Sequence, residues 1–235
     1  MPGTRIIEQA NGKIQHILLD LDGTLADTAQ DLAFTLNRLL QNEGHQPLAF
    51  EKIRPVVSHG ATAMIELGFG DALPADKFKQ LIQQFLDIYQ NHLTHKTTLF
   101  PGMTELLETI EARGQLWGVV TNKPSWLTDP LMEELGLAQR AACIVSGDTV
   151  EQKKPHPQPM HHACELMGVS AAECIYVGDA QRDIEAGQRA GMKTLAALFG
   201  YISEGDDPAN WGADGMIEHP REIIEWQQRF NLNQV

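Results

Sequence analysis

Apolar residues along this chain fall into two rhythms, short unbroken runs and longer stripes at helical spacing. The first run, Gln15 to Leu21, is a buried strand by its length and its aliphatic and β-branched content. Thr28 next offers a helix cap with Asp31 at the third position, and apolar residues at 32, 36, 39 and 40 make a helical stripe. Residues 45 to 95 read as helices with no strand pattern, most plainly in Phe78, Leu81, Ile82, Phe85, Leu86 and Tyr89. Such a block between a first and a second strand is too long for a βα connection and predicts an inserted helical subdomain.

From Pro101 onward, helices and strands alternate. A helix over 102 to 113 ends near Gly114, and Leu116 to Val120 is a strand. Pro124 opens a helix that runs to Leu135 and stops at Gly136. Cys143 to Val145 is a strand, Gln158 to Met167 a helix and Cys174 to Val177 a strand. Arg182 to Ala190 is a helix ending at Gly191, followed by the strand Thr194 to Leu198, a short strand at Met216-Ile217 and a helix over 221 to 229. This alternation predicts an α/β fold with a parallel sheet and right-handed crossovers. Residues 1 to 14 are polar and aperiodic and read as a loose extension.

Composition narrows the partners. A chain of 235 residues holds one large or two small domains with a substantial core. No window holds 18 uncharged apolar residues, and Met1 to Arg5 lacks an apolar signal core, so neither a membrane span nor secretion is expected. Cys143, Cys164 and Cys174 lack metal-like spacing and read as unpaired, mostly buried thiols in a reducing cytoplasm. A formal charge of −13 argues against nucleic acid or an anionic membrane as a partner. If the substrate is a phosphate, a metal ion and a few placed lysines must invert the local field.

Four features sit at the carboxyl ends of four predicted strands. They are Asp20 with Asp22, Thr121 with Asn122, Lys154 before Pro155, and Gly178-Asp179 with Asp183. Singly, each has an ordinary explanation as turn chemistry, solvated surface or helix cap. Together they converge on one sheet edge, where open α/β sheets bind ligands, in the order phosphoryl transfer needs. Asp20 is the candidate nucleophile, and Asp22 the candidate general acid for the leaving alkoxide and then base for the attacking water. Asp20, Asp179 and the Asp22 main-chain carbonyl suit Mg²⁺, with Asp183 one helical turn on orienting a metal-bound water or Lys154. Lys154 neutralises nucleophile and phosphate, and the Thr121 hydroxyl binds phosphate oxygens.

With these residues the chain resembles the haloacid dehalogenase-like hydrolases. Asp-Leu-Asp-Gly-Thr-Leu (20–25), Val-Val-Thr-Asn (119–122), Lys-Pro-His-Pro (154–157) and Val-Gly-Asp-Ala-Gln-Arg-Asp (177–183) look like that family's four motifs, in order. The resemblance implies a Rossmann-like core over 15–29 and 98–235, with a helical cap over 30–97 that closes on a small phosphate ester. It runs closest to the phosphoglycolate phosphatase-like branch. Residues 117–124, Gly200-Tyr201-Ile202 and 210–214 look like the N-acetylmuramic acid 6-phosphate phosphatases of peptidoglycan recycling. Val57-Ser58-His59-Gly60-Ala61 is similar to their substrate loop, with His59 where glycine is expected, and His156 stands where Asp is more usual.

Substrate-binding candidates are therefore Thr24, Asn122, Lys123, Ser58, His59 and Gly60. His59 reads either as a contact to a substrate carboxylate or sugar hydroxyl, or as an exposed cap-loop histidine. Lys123 reads as a substrate-side cation at the site mouth. The expected activity is Mg²⁺-dependent phosphomonoester hydrolysis of a small metabolite by a monomer or homodimer in the cytoplasm. N-acetylmuramic acid 6-phosphate is the first substrate and 2-phosphoglycolate the second. A phosphosugar mutase, which would depend on a bisphosphate activator, is the third reading. A signalling phospho-acceptor module would be about half this length and lack the insert, and Asp22 with Gly-Thr disfavours a dehalogenase.

Overall fold

The computed structural model describes residues 13–234. The chain enters through β1 (His16–Leu19), turns, and forms β2 (Ala26–Asp27). Helices α1 (Ala29–Asn42) and α2 (Phe50–Ile53), a 3₁₀ turn (Arg54–His59), α3 (Gly60–Phe69) and α4 (Ala75–Gln90) follow before β3 (Thr98–Leu99). Alternation then sets in with α5 (Met103–Ala112), β4 (Trp117–Val120), α6 (Ser125–Glu134), β5 (Ile144–Val145) and α7 (Gln158–Met167). It continues through β6 (Cys174–Gly178), α8 (Gln181–Arg189), β7 (Lys193–Ala197), β8 (Gly215–Ile217) and α9 (Glu222–Leu232).

Six strands form one parallel sheet in the order β5-β4-β1-β6-β7-β8. The chain winds outward from β1 through β4 and β5, then crosses back to β6 on the other side. This reversal beside β1 is the switch point at which such sheets hold ligands. Register does the rest. Leu19 pairs with both Val119 and Val177, so Asp20 emerges level with Val120 and Gly178, one position before Thr121 and Asp179 on the neighbouring strands.

A parallel strand covered on both faces must be apolar throughout. Accordingly Ile17 and Leu19 pack with Trp117, Val119, Ile175 and Val177 on one face, while Leu18 joins Val120, Val145 and Tyr176 on the other. The latter face also takes the three free, buried cysteines. The helices between β2 and β3 have an apolar cluster of their own, built on Leu36, Leu40, Ile53, Met64, Leu81 and Phe85.

Several expectations need correction. The strand expected over 15–21 is shorter, because the chain turns at Asp20, whose carbonyl accepts the Leu25 amide at 3.1 Å. The antiparallel pair β2–β3, Ala26 opposite Leu99 and Asp27 opposite Thr98, is too short to leave a periodic signal. Thr28 precedes α1 without capping it, since its hydroxyl donates to Asp22 Oδ1 at 2.6 Å. Asp31 likewise turns away from the cap and accepts from the Lys96 and Thr97 amides and the Thr97 hydroxyl. The expected extension over 1–14 lies outside the described residues except at Lys13 and Ile14, and Ile14 is buried. The amide of Ile14 donates to Asn231 Oδ1, and its carbonyl accepts from Gln227 and Asn231. Among the described residues no helix is long and apolar enough to cross a membrane.

Candidate active site

β1 delivers Asp20 into the sheet edge almost wholly buried, at 3% exposure. The turn after it is tight for a reason. Gly23 takes φ +89°, and a Cβ there would collide with the Asp179 carboxylate. Lys154 reaches the site from the loop after β5, held by both ends of the Asn122 side-chain amide. Asn122 Oδ1 accepts from the Lys154 amide and Nδ2 donates to the Lys154 carbonyl, each at 3.0 Å. The Lys154 ammonium then donates to Asp20 Oδ1 (2.8 Å), the Tyr176 hydroxyl (2.8 Å) and the Val120 carbonyl (2.9 Å). Asp20 Oδ2 has no hydrogen-bond partner among the described residues.

β6 and the start of α8 supply the rest of the acidic cluster. One oxygen from each of Asp20, Asp179 and Asp183 lies within 4.8 Å of the others. Asp179 Oδ2 accepts from the Tyr201 amide at 2.8 Å and the Ser58 hydroxyl at 2.6 Å. Asp183 Oδ2 accepts from the Ala180 amide, while Oδ1 lies 2.8 Å from Lys154 Nζ as an ion pair. That approach is not aligned for a hydrogen bond, so Oδ1 is a buried oxygen without a donor. Burial pushes the Asp20 carboxyl up to about 6, against the pull of Lys154. Burial, reinforced by Asp20 and Asp183, pushes Asp179 up to about 7. Burial works against the Arg182 guanidinium, yet Asp183, Asp20 and Asp179 together hold it above its ordinary value. Three buried carboxylates, an oxygen without a donor and raised proton affinities fit a divalent cation held by oxygen ligands.

Asp22, two residues beyond Asp20, has a separate set of partners. Its Oδ1 accepts from the Thr28 hydroxyl at 2.6 Å and the Lys123 ammonium at 2.9 Å, while Oδ2 has no partner among the described residues. Lys123 also donates to the Tyr89 hydroxyl at 2.8 Å, its ammonium 4.5 Å from the ring centre. Burial opposes the Lys123 ammonium, but Asp22 and Tyr89 hold its pKa above the ordinary lysine value. Burial likewise raises the Tyr89 hydroxyl to about 12, although Lys123 pulls it down.

Over these groups lies a cavity of about 410 Å³. Asp20, Asp22, Thr121, Asn122 and Lys123 line one side, and the insert supplies Val57, Met64, Ile82, Phe85 and Leu86 opposite. The carboxylates, Lys154, Thr121 and Lys123 thus gather on one sheet edge, with the Lys123 ammonium buried against Asp22 and Tyr89 rather than standing at the site mouth. Three others are placed differently. Thr24 is fully buried with its hydroxyl 3.5 Å from Asp179 Oδ1, outside the cavity lining. Ser58 lines the cavity but donates to Asp179, and Asn122 uses its amide on Lys154. His59 and Gly60 line the cavity, and His59 Nε2 also lies 2.9 Å from the Ser203 hydroxyl. Tyr89, Tyr176 and Arg182 were not anticipated. Tyr89 and Tyr176 sit in apolar patterns that read as core, and Arg182 stood inside a quoted motif without a role. Arg182 donates to the Ser58 carbonyl, tying α8 to the insert.

Comparison with known proteins agrees with this geometry. The family model for haloacid dehalogenase-like hydrolases matches residues 17–197. The chain is 42% identical over 213 residues to the N-acetylmuramic acid 6-phosphate phosphatase of Pseudomonas aeruginosa, covering 91% of this chain and 94% of that one. It is 41% identical over 215 residues to a phosphoglycolate phosphatase of Xanthomonas campestris, covering 90% and 97%. A crystal structure of a predicted phosphoglycolate phosphatase from Haemophilus somnus superposes with a TM-score of 0.82 at 26% identity, covering 94% of this chain and all of that one. The chain therefore belongs to the haloacid dehalogenase-like hydrolases, and it is a phosphatase of that family.

Proposed function

We propose that this phosphatase hydrolyses N-acetylmuramic acid 6-phosphate with Mg²⁺, through an aspartyl-phosphate on Asp20. One observation carries the choice of substrate. The 410 Å³ cavity above Asp20 and Asp22 has an apolar wall from the insert, a size suited to a whole amino-sugar phosphate. A two-carbon ester would leave most of that wall unused. The Pseudomonas relative bears the corresponding name, and the Xanthomonas relative makes 2-phosphoglycolate the alternative.

The chemistry follows from the placement of charge. Asp20 Oδ2 attacks phosphorus, the bond from phosphorus to the ester oxygen breaks, and that oxygen takes its proton from the Asp22 carboxyl. A water molecule then adds to phosphorus and gives its proton to Asp22, releasing phosphate and restoring the Asp20 carboxylate. Lys154 and the Thr121 hydroxyl bind the oxygens that carry the developing charge. Asp20, Asp179 and the Asp22 carbonyl would hold Mg²⁺, with Asp183 beside them, and the ion would neutralise the transferred phosphoryl group. The insert covers the site and keeps bulk water from the acyl-phosphate.

The test is phosphate release with Mg²⁺ from N-acetylmuramic acid 6-phosphate and from 2-phosphoglycolate, each as kcat/KM, with Asp20→Asn as control. A preference above ~100-fold for the amino sugar, about 2.7 kcal/mol in the transition state, is expected. The reverse preference assigns the two-carbon ester. Turnover surviving in Asp20→Asn overturns the mechanism.

A further inference from the structure

Tyr89 belongs to no role described so far. It lies on α4, in the insert, at 1% exposure, and its position in a helical stripe would make it simply a core residue. Yet its hydroxyl points out of that core to accept from Lys123 Nζ, and the same ammonium meets Asp22 Oδ1. Three separate elements thus meet in one chain of contacts: α4 gives Tyr89, the loop after β4 gives Lys123, and the turn after β1 gives Asp22.

We infer that Tyr89 is a positioning residue for the phosphoryl transfer, holding the Lys123 ammonium on Asp22 Oδ1 so that Asp22 Oδ2 faces the ester oxygen. The inference rests on the reading of Asp22 as the general acid. A carboxyl turns readily about its terminal torsion, and that rotation exchanges its two oxygens. Thr28 and Lys123 both bind Oδ1, which fixes the rotation and leaves the partnerless Oδ2 for the substrate. A lysine has a long flexible stem, so its ammonium stays at one point only when several acceptors hold it there. Tyr89 supplies such an acceptor through its hydroxyl. Because Tyr89 comes from the insert, the acid is held in its working orientation only while the insert is docked on the core.

A residue that served packing alone would slow every substrate alike. A residue that positions the acid should matter where the leaving oxygen needs a proton, and little where it does not. Tyr89→Phe keeps the ring and removes only the hydroxyl. We expect it to lower kcat/KM about tenfold for the better alkyl phosphate of the pair above, the loss of one hydrogen bond to a charged group. For p-nitrophenyl phosphate, whose leaving group departs without a proton, the change should stay within about twofold. Lys123→Met breaks the same chain one link nearer to Asp22 and should show at least this selectivity, which also serves if Tyr89→Phe loses its cooperative thermal transition. In an Asp22→Asn background, Tyr89→Phe should add no selectivity. Equal losses on both esters, or none on either, overturn the assignment of Tyr89. If Asp22→Asn itself lowers kcat/KM alike for both esters, a quantity that ends at leaving-group departure and excludes the later water step, the acid reading of Asp22 fails instead, which separates the two failures.

Discussion

At the scale of single residues, the bonds between the Asn122 amide and the Lys154 backbone decide where the ammonium beside Asp20 stands. Sequence suggested that Asn122 meets the substrate, since it follows Thr121 at a strand end. The structure makes it a clamp on the loop that carries Lys154. Displacing a charged group by about an ångström costs on the order of 100-fold in rate, so Asn122→Ala is expected to lower kcat by about that factor with little change in KM. A rise in KM at constant kcat would return Asn122 to the substrate. Which residues gather at the sheet edge was legible from their types and spacing, as with Asp20, Asp22, Lys154 and Asp179. Which oxygen of Asp22 is engaged, or that Tyr176 holds Lys154, was not. Those facts depend on contacts across 101 and 22 positions of sequence separation.

At the scale of elements, the insert is tied to the core at its two strands and at its loop. Asp31, at the start of α1, accepts two backbone amides and a hydroxyl from Lys96 and Thr97 as the chain returns toward β3. The sequence offered Asp31 as a capping partner of Thr28. The structure uses it to close a 65-residue excursion. Replacing the charged acceptor should weaken all three bonds, so Asp31→Asn is expected to cost about 2 kcal/mol. Urea denaturation checks this, the sign of a genuine effect being a lower midpoint at unchanged slope. The helices themselves were legible from periodicity. The β2–β3 pair was not, because two residues per strand carry no pattern, and only its partner across the insert makes it a ladder.

At the scale of the whole molecule, the site's buried charge sets a dependence of stability on pH. Asp20 and Asp179 titrate near 6 and near 7 when folded, above the ordinary 3.8 of an aspartate. Between about 4 and 7 these two carboxyls therefore bind more protons in the native protein than in the unfolded chain, and they make stability fall as pH rises through that window. A cation bound by the ionised cluster offsets that loss most where the carboxylates are charged. Scanning calorimetry of the metal-free protein should show Mg²⁺ raising the unfolding temperature more at pH 8 than at pH 5. Asp179→Asn should shrink the difference. An equal shift at both pH values would remove the acidic cluster as the binding site.

The sequence alone determined the architecture and which residues gather at the sheet edge. Runs of aliphatic residues specify buried parallel strands, helical stripes specify their covers, and side chains at strand ends fall on one edge whatever the details of packing. Tertiary structure decided what each polar group at that edge touches. Thr24 and Ser58 turned to Asp179, Asn122 to Lys154, and Tyr89 to Lys123. The reason is physical. A buried polar atom must find a partner, and the partner is set by which distant elements the register and the insert bring within hydrogen-bond reach.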